Sequence, residues 1–532
     1  LLTGDPDFNR ELMDGGHLPW WTPPRFRIAF FRYLSTLTMW VDYRLWPESA
    51  WLMHAQSLLW FAALVVAVVL FYRRMFGGGM VAGLAALLYA VDEARAVPAI
   101  WLSNRNALLA TLFAVLCLWA HDRWRRDAWR PGAALGPLFL ALALGSAELG
   151  LGAVAYLVAH AVFLEPGPWR RRLVALAPHG AVVAAWIVLY RVLGYGVVGS
   201  GLYLDPVNDL AGYARLFPDR FVYQLLGQWT AIPADLAAYV TADVQRVLWL
   251  LGLGTIAVVA WALTPLLRRD ALARFWMLGM LLSLVPVAAT FASNRLLMCA
   301  GLGGMGLLAQ FLVAAFPRAD SLARTRLSRQ AVRVLSWLLI VTHLGIAPLG
   351  LALAFAGVQN MGRAQIEAAA SIPHPPRIAQ QDLVILHSPD YLFFVAPIAA
   401  LKHFDGHPYA RSMRPLATTP VPLVVTRVDE RTLDVRMEGG LFAGPLGRLF
   451  RGWRDPLRAG DRVELDGWTV TVLDAAADGD VLEARFEFAV PLEDPSLHWV
   501  RWEDHGYVPF SPPPVGRSIR VPAARSLLEQ YR

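Results

Sequence analysis

Between residues 51 and 357 the chain passes through ten apolar runs, near 51–72, 77–93, 104–121, 132–147, 149–165, 173–194, 247–267, 274–292, 295–316 and 334–357. Each is close to the roughly 20 residues that an α-helix needs to cross a bilayer core, or slightly short of it. Only helices and closed barrels satisfy their backbone groups in lipid, and runs this long and this apolar predict helices. The chain is 56% hydrophobic and 17% charged, against about 25% charged in ordinary soluble domains. The expected fold is therefore a polytopic all-α membrane bundle of about ten spans, followed by a β-rich C-terminal domain, a sandwich or a barrel.

The formal charge is +7 and comes almost wholly from arginine, Lys402 being the single lysine. A nucleic-acid partner is excluded by position, because the arginines sit between apolar runs. Alternate connections hold very unequal shares. One set carries seventeen, among them Arg73, Arg74, Arg125, Arg126, Arg170, Arg171, Arg268, Arg318 and Arg324. The other carries six, Arg95, Arg105, Arg215, Arg220, Arg246 and Arg295. The positive-inside rule makes the first set cytoplasmic. That orientation puts the N-terminal stretch, the 195–246 loop and everything beyond 357 outside. The opening residues lack a charged n-region and an apolar h-region, so the chain reads as a fragment whose start lies upstream.

Four regions follow: 1–50, an external loop with an interfacial helix around 25–46; 51–357, the helical domain; 358–377, a linker containing "SIPHPPR"; and 378–532, the β-rich domain. In the last, "DLVILHS", "VPLVVTRVDERTLDVRME", "DRVELDGWTVTVLD" and "DVLEARFEFAV" alternate apolar and polar residues between Asp-Gly and Gly-Asp turns, which predicts antiparallel strands. Residues 376–532 alone should be soluble and strand-rich. Cys117 and Cys299 fall inside apolar runs and support neither a disulfide framework nor a thiolate metal site.

Charges at bilayer depth are costly and need a reason. Four clusters stand at the expected outer ends of spans: "YAVDEARAVPAIWLSNRN" with Asp92, Glu93, Arg95 and Arg105; "LGSAELG" with Glu148; "FASNRLLMCAGLG" with Asn294 and Arg295; and "TGDPDFNRELMDGG" with Asp5 and Asp7. Arginines at helix ends also snorkel to headgroups. Glu148 and Arg295 lie on turns too short to leave the surface, and two readings stay open for them, a structural ion pair or a site. His54, His160, His179 and His343 lie singly in apolar runs and read as core residues. "HFDGH" at 403–407 has Gly and Pro neighbours and reads as a loop. No metal ligand is assigned, and no cofactor, a divalent cation being the one alternative left open. Walker A, dinucleotide, G-x-S-x-G and H-E-x-x-H patterns are absent.

Several of these stretches, in order, resemble the multispanning glycosyltransferases of the GT-C type, especially bacterial relatives of protein O-mannosyltransferases. "FFRYLSTLTMWVDYRLWP" and then "MHAQSLLWF" resemble the family's Arg-Pro-Leu segment and His-containing span, with Arg32 at the arginine and Tyr33 at the proline. "VPAIWLSNRNALLATLF" resembles its Trp-x-x-x-Arg segment, "ALALGSAELGL" its Ser-Lys-Glu turn with Ala147 at the lysine, and "SNRLLMCAGLGGMGLLA" its Arg-Leu-Tyr segment. Asp92 and Arg95 stand where some relatives carry His. The acidic pair of the first external loop has no clear counterpart, "GDPD" being the one approximation.

What the resemblance implies is sugar transfer from a polyprenyl-phosphate donor, borne by membrane lipid, to an external glycan or protein acceptor. Glu148 would be base or support, with Asp5 and Asp7 the further carboxylates. Arg105 and Arg295 would hold the phosphate, and Asn294, Arg32 and Asp92 would complete the binding set. In-line attack would invert the anomeric centre. The alternatives are a non-catalytic scaffold that binds lipid or glycan, and a transporter, although no inverted repeat is visible.

Overall fold

The computed structural model describes residues 2–316, 325–373, 375–404 and 406–524. Arg318, Arg324, His374 of "SIPHPPR" and Asp405 of "HFDGH" lie outside the described residues. The chain divides into two compact units, a helical one of residues 30–195 and 206–358 and a strand-rich one of residues 1–29, 196–205 and 359–532.

The strand-rich unit begins with β1 (Leu2–Thr3) and α1 (Pro6–Asp14), and β2 (Arg27–Ala29) lies in one small sheet between β1 and β3 (Gly196–Val198). The helical unit comprises α2 (Tyr33–Leu45), α3 (Ala50–Phe76), α4 (Gly79–Val91), the short α5 (Ala96–Ile100), α6 (Arg105–Asp127), α7 (Gly132–Ser146), α8 (Gly152–Phe163), α9 (Trp169–Val192), α10 (Leu210–Trp229), α11 (Ala242–Arg269), α12 (Ala271–Val287), α13 (Met298–Ala315) and α14 (Arg326–Ile340). A π-helical turn, Val341–Ile346, joins α14 to α15 (Ala347–Ser371), and the boundary between the units falls within α15.

Among the described residues six helices are long and apolar enough to cross a membrane, and four shorter apolar helices of the same unit stand at the other expected spans. The chain is an integral membrane protein with a polytopic bundle. The last span differs from expectation in length, since the apolar helix continues without a break over Arg326–Ser371. The 195–246 loop also holds a 20-residue helix, α10.

At the centre of this unit stands α13, whose residues are nearly all buried. Glycines on α13 and on its neighbour α12 make room for large side chains: a side chain at Gly279 of α12 would strike the Tyr156 ring and one at Gly303 of α13 the Trp276 carbonyl. Small residues allow such close approach between membrane helices. Three tyrosines donate to backbone carbonyls at its start, Tyr89 to Met298 at 3.1 Å, Tyr156 to Cys299 at 2.8 Å and Tyr72 to Leu302 at 2.5 Å. Polar groups are thus satisfied inside the bundle where no water competes. Helix α2 exposes Tyr33, Leu37, Trp40, Tyr43 and Leu45 and buries Asp42.

In the strand-rich unit follow β4 (Asp382–Ser388), α16 (Tyr391–Phe394), α17 (Ile398–Phe404), β5 (Ser412–Thr418), β6 (Leu423–Arg427), β7 (Thr432–Met437), β8 (Arg462–Leu465), β9 (Trp468–Ala475), β10 (Val481–Phe488), β11 (Leu497–Glu503), β12 (Gly506–Pro509) and β13 (Ser518–Val521). Six form an antiparallel sheet ordered β13-β6-β7-β10-β9-β8, as the alternating patterns predict. The other sheet, β12-β11-β4-β5, departs from the antiparallel expectation because β4 pairs parallel with both β11 and β5. Every residue of β4 is buried. A strand covered on both faces loses the polar alternation of a half-exposed one.

Residues near the start of the chain complete this core. Leu18, Trp20, Trp21 and Phe26 belong to the same buried cluster as Val384, Leu416 and Phe486. Gly16, at φ +75°, has space only for hydrogen, since a side chain there would meet the Met413 carbonyl.

Asp390 accepts the Phe393 N–H at 2.9 Å and caps α16. Burial pushes its carboxyl up to about 6. Its unfolded value is about 3.9, so the folded form holds its proton more tightly. This contribution is complete below about pH 4 and is lost as pH rises through about 6. In Asp390→Asn the loss disappears. The melting temperature of the variant, relative to the parent, should rise from near zero difference at acid pH to a plateau above neutrality. Thermal melts followed by far-UV circular dichroism check this, and a pH-independent difference would exclude it.

Candidate functional site

The candidate residues fall in both units. Asp5 and Asp7 lie in the strand-rich unit. Asp5 caps α1, accepting the N–H groups of Asp7 and Phe8 at 2.9 and 3.0 Å, and Asp7 is exposed in the first turn. A carboxylate that satisfies orphan helix N–H groups has an ordinary structural role.

In the helical unit Glu148 opens the turn before α8. It accepts the Phe31 N–H at 3.1 Å and the Tyr190 hydroxyl at 3.3 Å, with Arg32 Nε at 3.8 Å. Arg32 also lies 4.4 Å from the centroid of the Phe30 ring. Around this pair stand Phe31, Tyr33, Trp186, Tyr190 and Tyr195, in edge and tilted contacts. Glu148 therefore pairs with Arg32, and no ion pair joins it to Arg295 among the described residues.

Arg105, the first residue of α6, is fully buried. Asp42 stands 2.6 Å from it, Ser57 Oγ accepts its Nε–H at 2.9 Å, the Met53 carbonyl accepts at 2.8 Å, and Gln56 accepts as well. Its donors are directed at protein acceptors, an arrangement that fixes α2 and α3 against α6. Asp42 had no distinguishing pattern in the sequence, lying in an aromatic stretch with Asp14 the nearest carboxylate on its N-terminal side and Glu48 the nearest beyond it.

The third cluster is at the start of α13. Arg295 is half-buried between Trp101 and Phe291, with ring centroids at 5.9 and 5.6 Å. Among the described residues it has no ion pair. Next to it, Asn294 donates its side-chain amide to Glu93 Oε1 at 3.5 Å and accepts the Ala234 N–H at 2.8 Å, while its own N–H goes to Asp235 at 2.8 Å. A side chain at Gly227 would strike Asn294 Oδ1. Buried Arg95 stacks 4.1 Å from the Tyr89 centroid and donates to the Leu297 carbonyl at 3.3 Å, and Asp92, at 3.9 Å, caps the turn that carries it. Three connections thus meet here, and they bring together two arginines and the carboxylates Asp92, Glu93 and Asp235. Asp235 was missed because its segment, "GQWTAIPADL", contains no charge pattern.

Contacts link the three clusters to one end of the bundle. Helix α2 carries Ser35, which donates to the Ser146 carbonyl at 3.3 Å, as well as Asp42. The Leu149 carbonyl faces Cys299 Sγ at 3.7 Å, joining the Glu148 turn to α13.

No family model matches this chain, and no curated protein does. Among solved structures it is similar to ArnT from Cupriavidus metallidurans in the apo state, at 14% identity over 77% of this chain and 80% of that one, with a TM-score of 0.37. It is also similar to the apo oligosaccharyltransferase of Archaeoglobus fulgidus, at 14% identity over 78% of this chain and 60% of that one, with a TM-score of 0.41. A third is the arabinofuranosyltransferase AftD from Mycobacteria, at 15% identity over 91% of this chain and 39% of that one, with a TM-score of 0.34. All three are GT-C glycosyltransferases. The likeness assigns no residue a role.

Proposed function

We propose that the chain is a membrane glycosyltransferase that takes a sugar from a polyprenyl-phosphate donor, with its site at the end of the bundle where α6 and α13 begin. The observation that carries this reading is Arg295, a half-buried cation held between two aromatic rings beside a cluster of carboxylates. An arginine so placed can offer a planar fork of donors to a phosphate, and stacking restricts the side chain before the ligand arrives. Glu93 and Asp235 are both hydrogen-bonded to Asn294, the residue next to that cation, and Glu93 is the candidate acceptor base. Glu148, engaged by Phe31 and Tyr190, positions the Arg32 segment. The arginine-rich end is the cytoplasmic one in this reading, so transfer takes place outside, onto a glycan or protein acceptor.

The test is donor binding in detergent. A hydrogen bond to a charged group is worth about 1.5–3 kcal/mol, so Arg295→Ala should weaken binding of polyprenyl phosphate roughly ten- to hundredfold without lowering the melting temperature. Arg295→Lys should recover only part of the loss, since it keeps the charge but not the fork. Unchanged affinity in both variants would remove Arg295 from the site and the reading with it.

A further inference from the structure

A second polar cluster is buried at the other end of the same helices, among the arginine-rich connections. His121 lies near the end of α6, His160 in the last turn of α8, and Glu165 in the loop before α9. All three are at most 3% exposed, and their ligand-type atoms lie within 4.8 Å of one another. His160 Nδ1 is 3.6 Å and His121 Nε2 3.8 Å from the same oxygen, Glu165 Oε2. None of these three atoms has a hydrogen-bond partner among the described residues. Three orphan acceptor or donor atoms that all face one point require an explanation, because an unmade buried hydrogen bond costs about 1–3 kcal/mol.

The distances separate two explanations. Nitrogen–oxygen hydrogen bonds fall at about 2.7–3.2 Å, and these separations are too long. Ligands bound at about 2.0–2.1 Å to a tetrahedral Zn2+ stand about 3.4 Å apart, close to the two nitrogen–oxygen separations. We propose that the helical unit holds a divalent-metal site of the Zn2+ type, with His121 Nε2, His160 Nδ1 and Glu165 Oε2 as ligands.

The surroundings fit that chemistry. The other nitrogen of His160 lies 3.0 Å from Asp122 Oδ1, the carboxylate–histidine arrangement that sets the tautomer and orients the ring of a metal-bound histidine. Arg125 holds Glu165 Oε1 and leaves Oε2 turned inward. The fourth position falls to water or to His179 on α9. Its ring centroid is 5.0 Å from that of His121, and both its nitrogens are without partners among the described residues. Gly136 leaves space for that ring, since a side chain there would meet His179 Nε2 at 2.9 Å. A metal here would tie α6, α8 and the start of the α9 connection together. His160 and His179, which read as solitary core residues in the sequence, are in fact neighbours of one buried group.

The experiment uses the full chain in detergent, stripped with chelator, dialysed and titrated with Zn2+ and with Co2+. One equivalent should bind, Co2+ should give the visible d–d absorption of a four-coordinate site, and Zn2+ should raise the melting temperature. Asp122→Asn should weaken binding about 10–100-fold, Glu165→Gln at least as much, and His54→Gln not at all. The parent protein decides the matter even if a variant fails to fold. Folded, stripped protein that takes up neither ion, or uptake unaffected by Asp122→Asn and Glu165→Gln together, would overturn the assignment.

Discussion

Arg105→Ala is expected to destabilise the helical unit by about 3–5 kcal/mol, the cost of leaving a buried carboxylate without its partner. Asp42 is 2% exposed and sits 2.6 Å from the Arg105 guanidinium. Removing the arginine also strands Ser57, Gln56 and the Met53 carbonyl, each of which accepts one of its N–H groups. The single change therefore opens the contact of α6 with both α2 and α3. Arg105→Lys should fall between, since one ammonium cannot serve four acceptors in that geometry. Pairing Arg105→Met with Asp42→Leu should restore most of the stability, because two apolar groups of similar volume remove both the charge and the need for it. Unfolding in detergent, followed by tryptophan fluorescence, measures all of these. If Arg105→Ala keeps its melting temperature and loses only donor affinity, the residue is a ligand-binding one and the structural account is wrong.

Trp20→Ala should have an effect of similar size on the strand-rich unit, about 3–5 kcal/mol for a fully buried aromatic side chain. The ring makes edge contacts with Trp21 and Phe486 at 5.5 and 6.0 Å, and its indole N–H donates to the Leu416 carbonyl at 3.0 Å. Trp21 is anchored alongside, against Tyr391 and Phe442, with its carbonyl accepting from Arg451. Trp20→Phe keeps most of the apolar area and leaves the Leu416 carbonyl unpaired, so its cost should be nearer 1–2 kcal/mol. The same packing revises the expectation for residues 376–532 expressed alone. Without Trp20, Trp21 and Phe26 the fragment exposes a core face and should bind a hydrophobic dye, and adding residues 1–29 should suppress that binding. A fragment that is soluble, dye-silent and as stable as the full chain would show that the N-terminal residues only decorate the unit.

Much of this architecture is legible in particular residues. The runs from 51 to 357 demand helices because lipid offers no hydrogen bonds, and the strand patterns of β6, β7, β9 and β10 follow the two-residue period of a half-exposed sheet. The pattern of β4 was harder to read, since "DLVILHS" is buried on both faces and its neighbours are parallel. Charged residues at the ends of spans stand out in the sequence as costly, but sequence cannot say which charge meets which. Arg105 and Arg295 look alike in the chain, each opening a span. One is saturated by Asp42 and four further acceptors, and the other is clasped by two aromatic rings without an ion pair among the described residues.

The sequence by itself determined that this is a membrane protein of many spans with a strand-rich C-terminal part, because hydropathy is a property of each segment and needs no partner to be expressed. Tertiary structure alone decided that residues 18–26 complete the strand-rich core, that Asp42 neutralises Arg105, and that His121, His160 and Glu165 face one point. Most of those are pairings across dozens to hundreds of residues, and a side chain's chemistry depends on what surrounds it in space rather than on what precedes it in the chain.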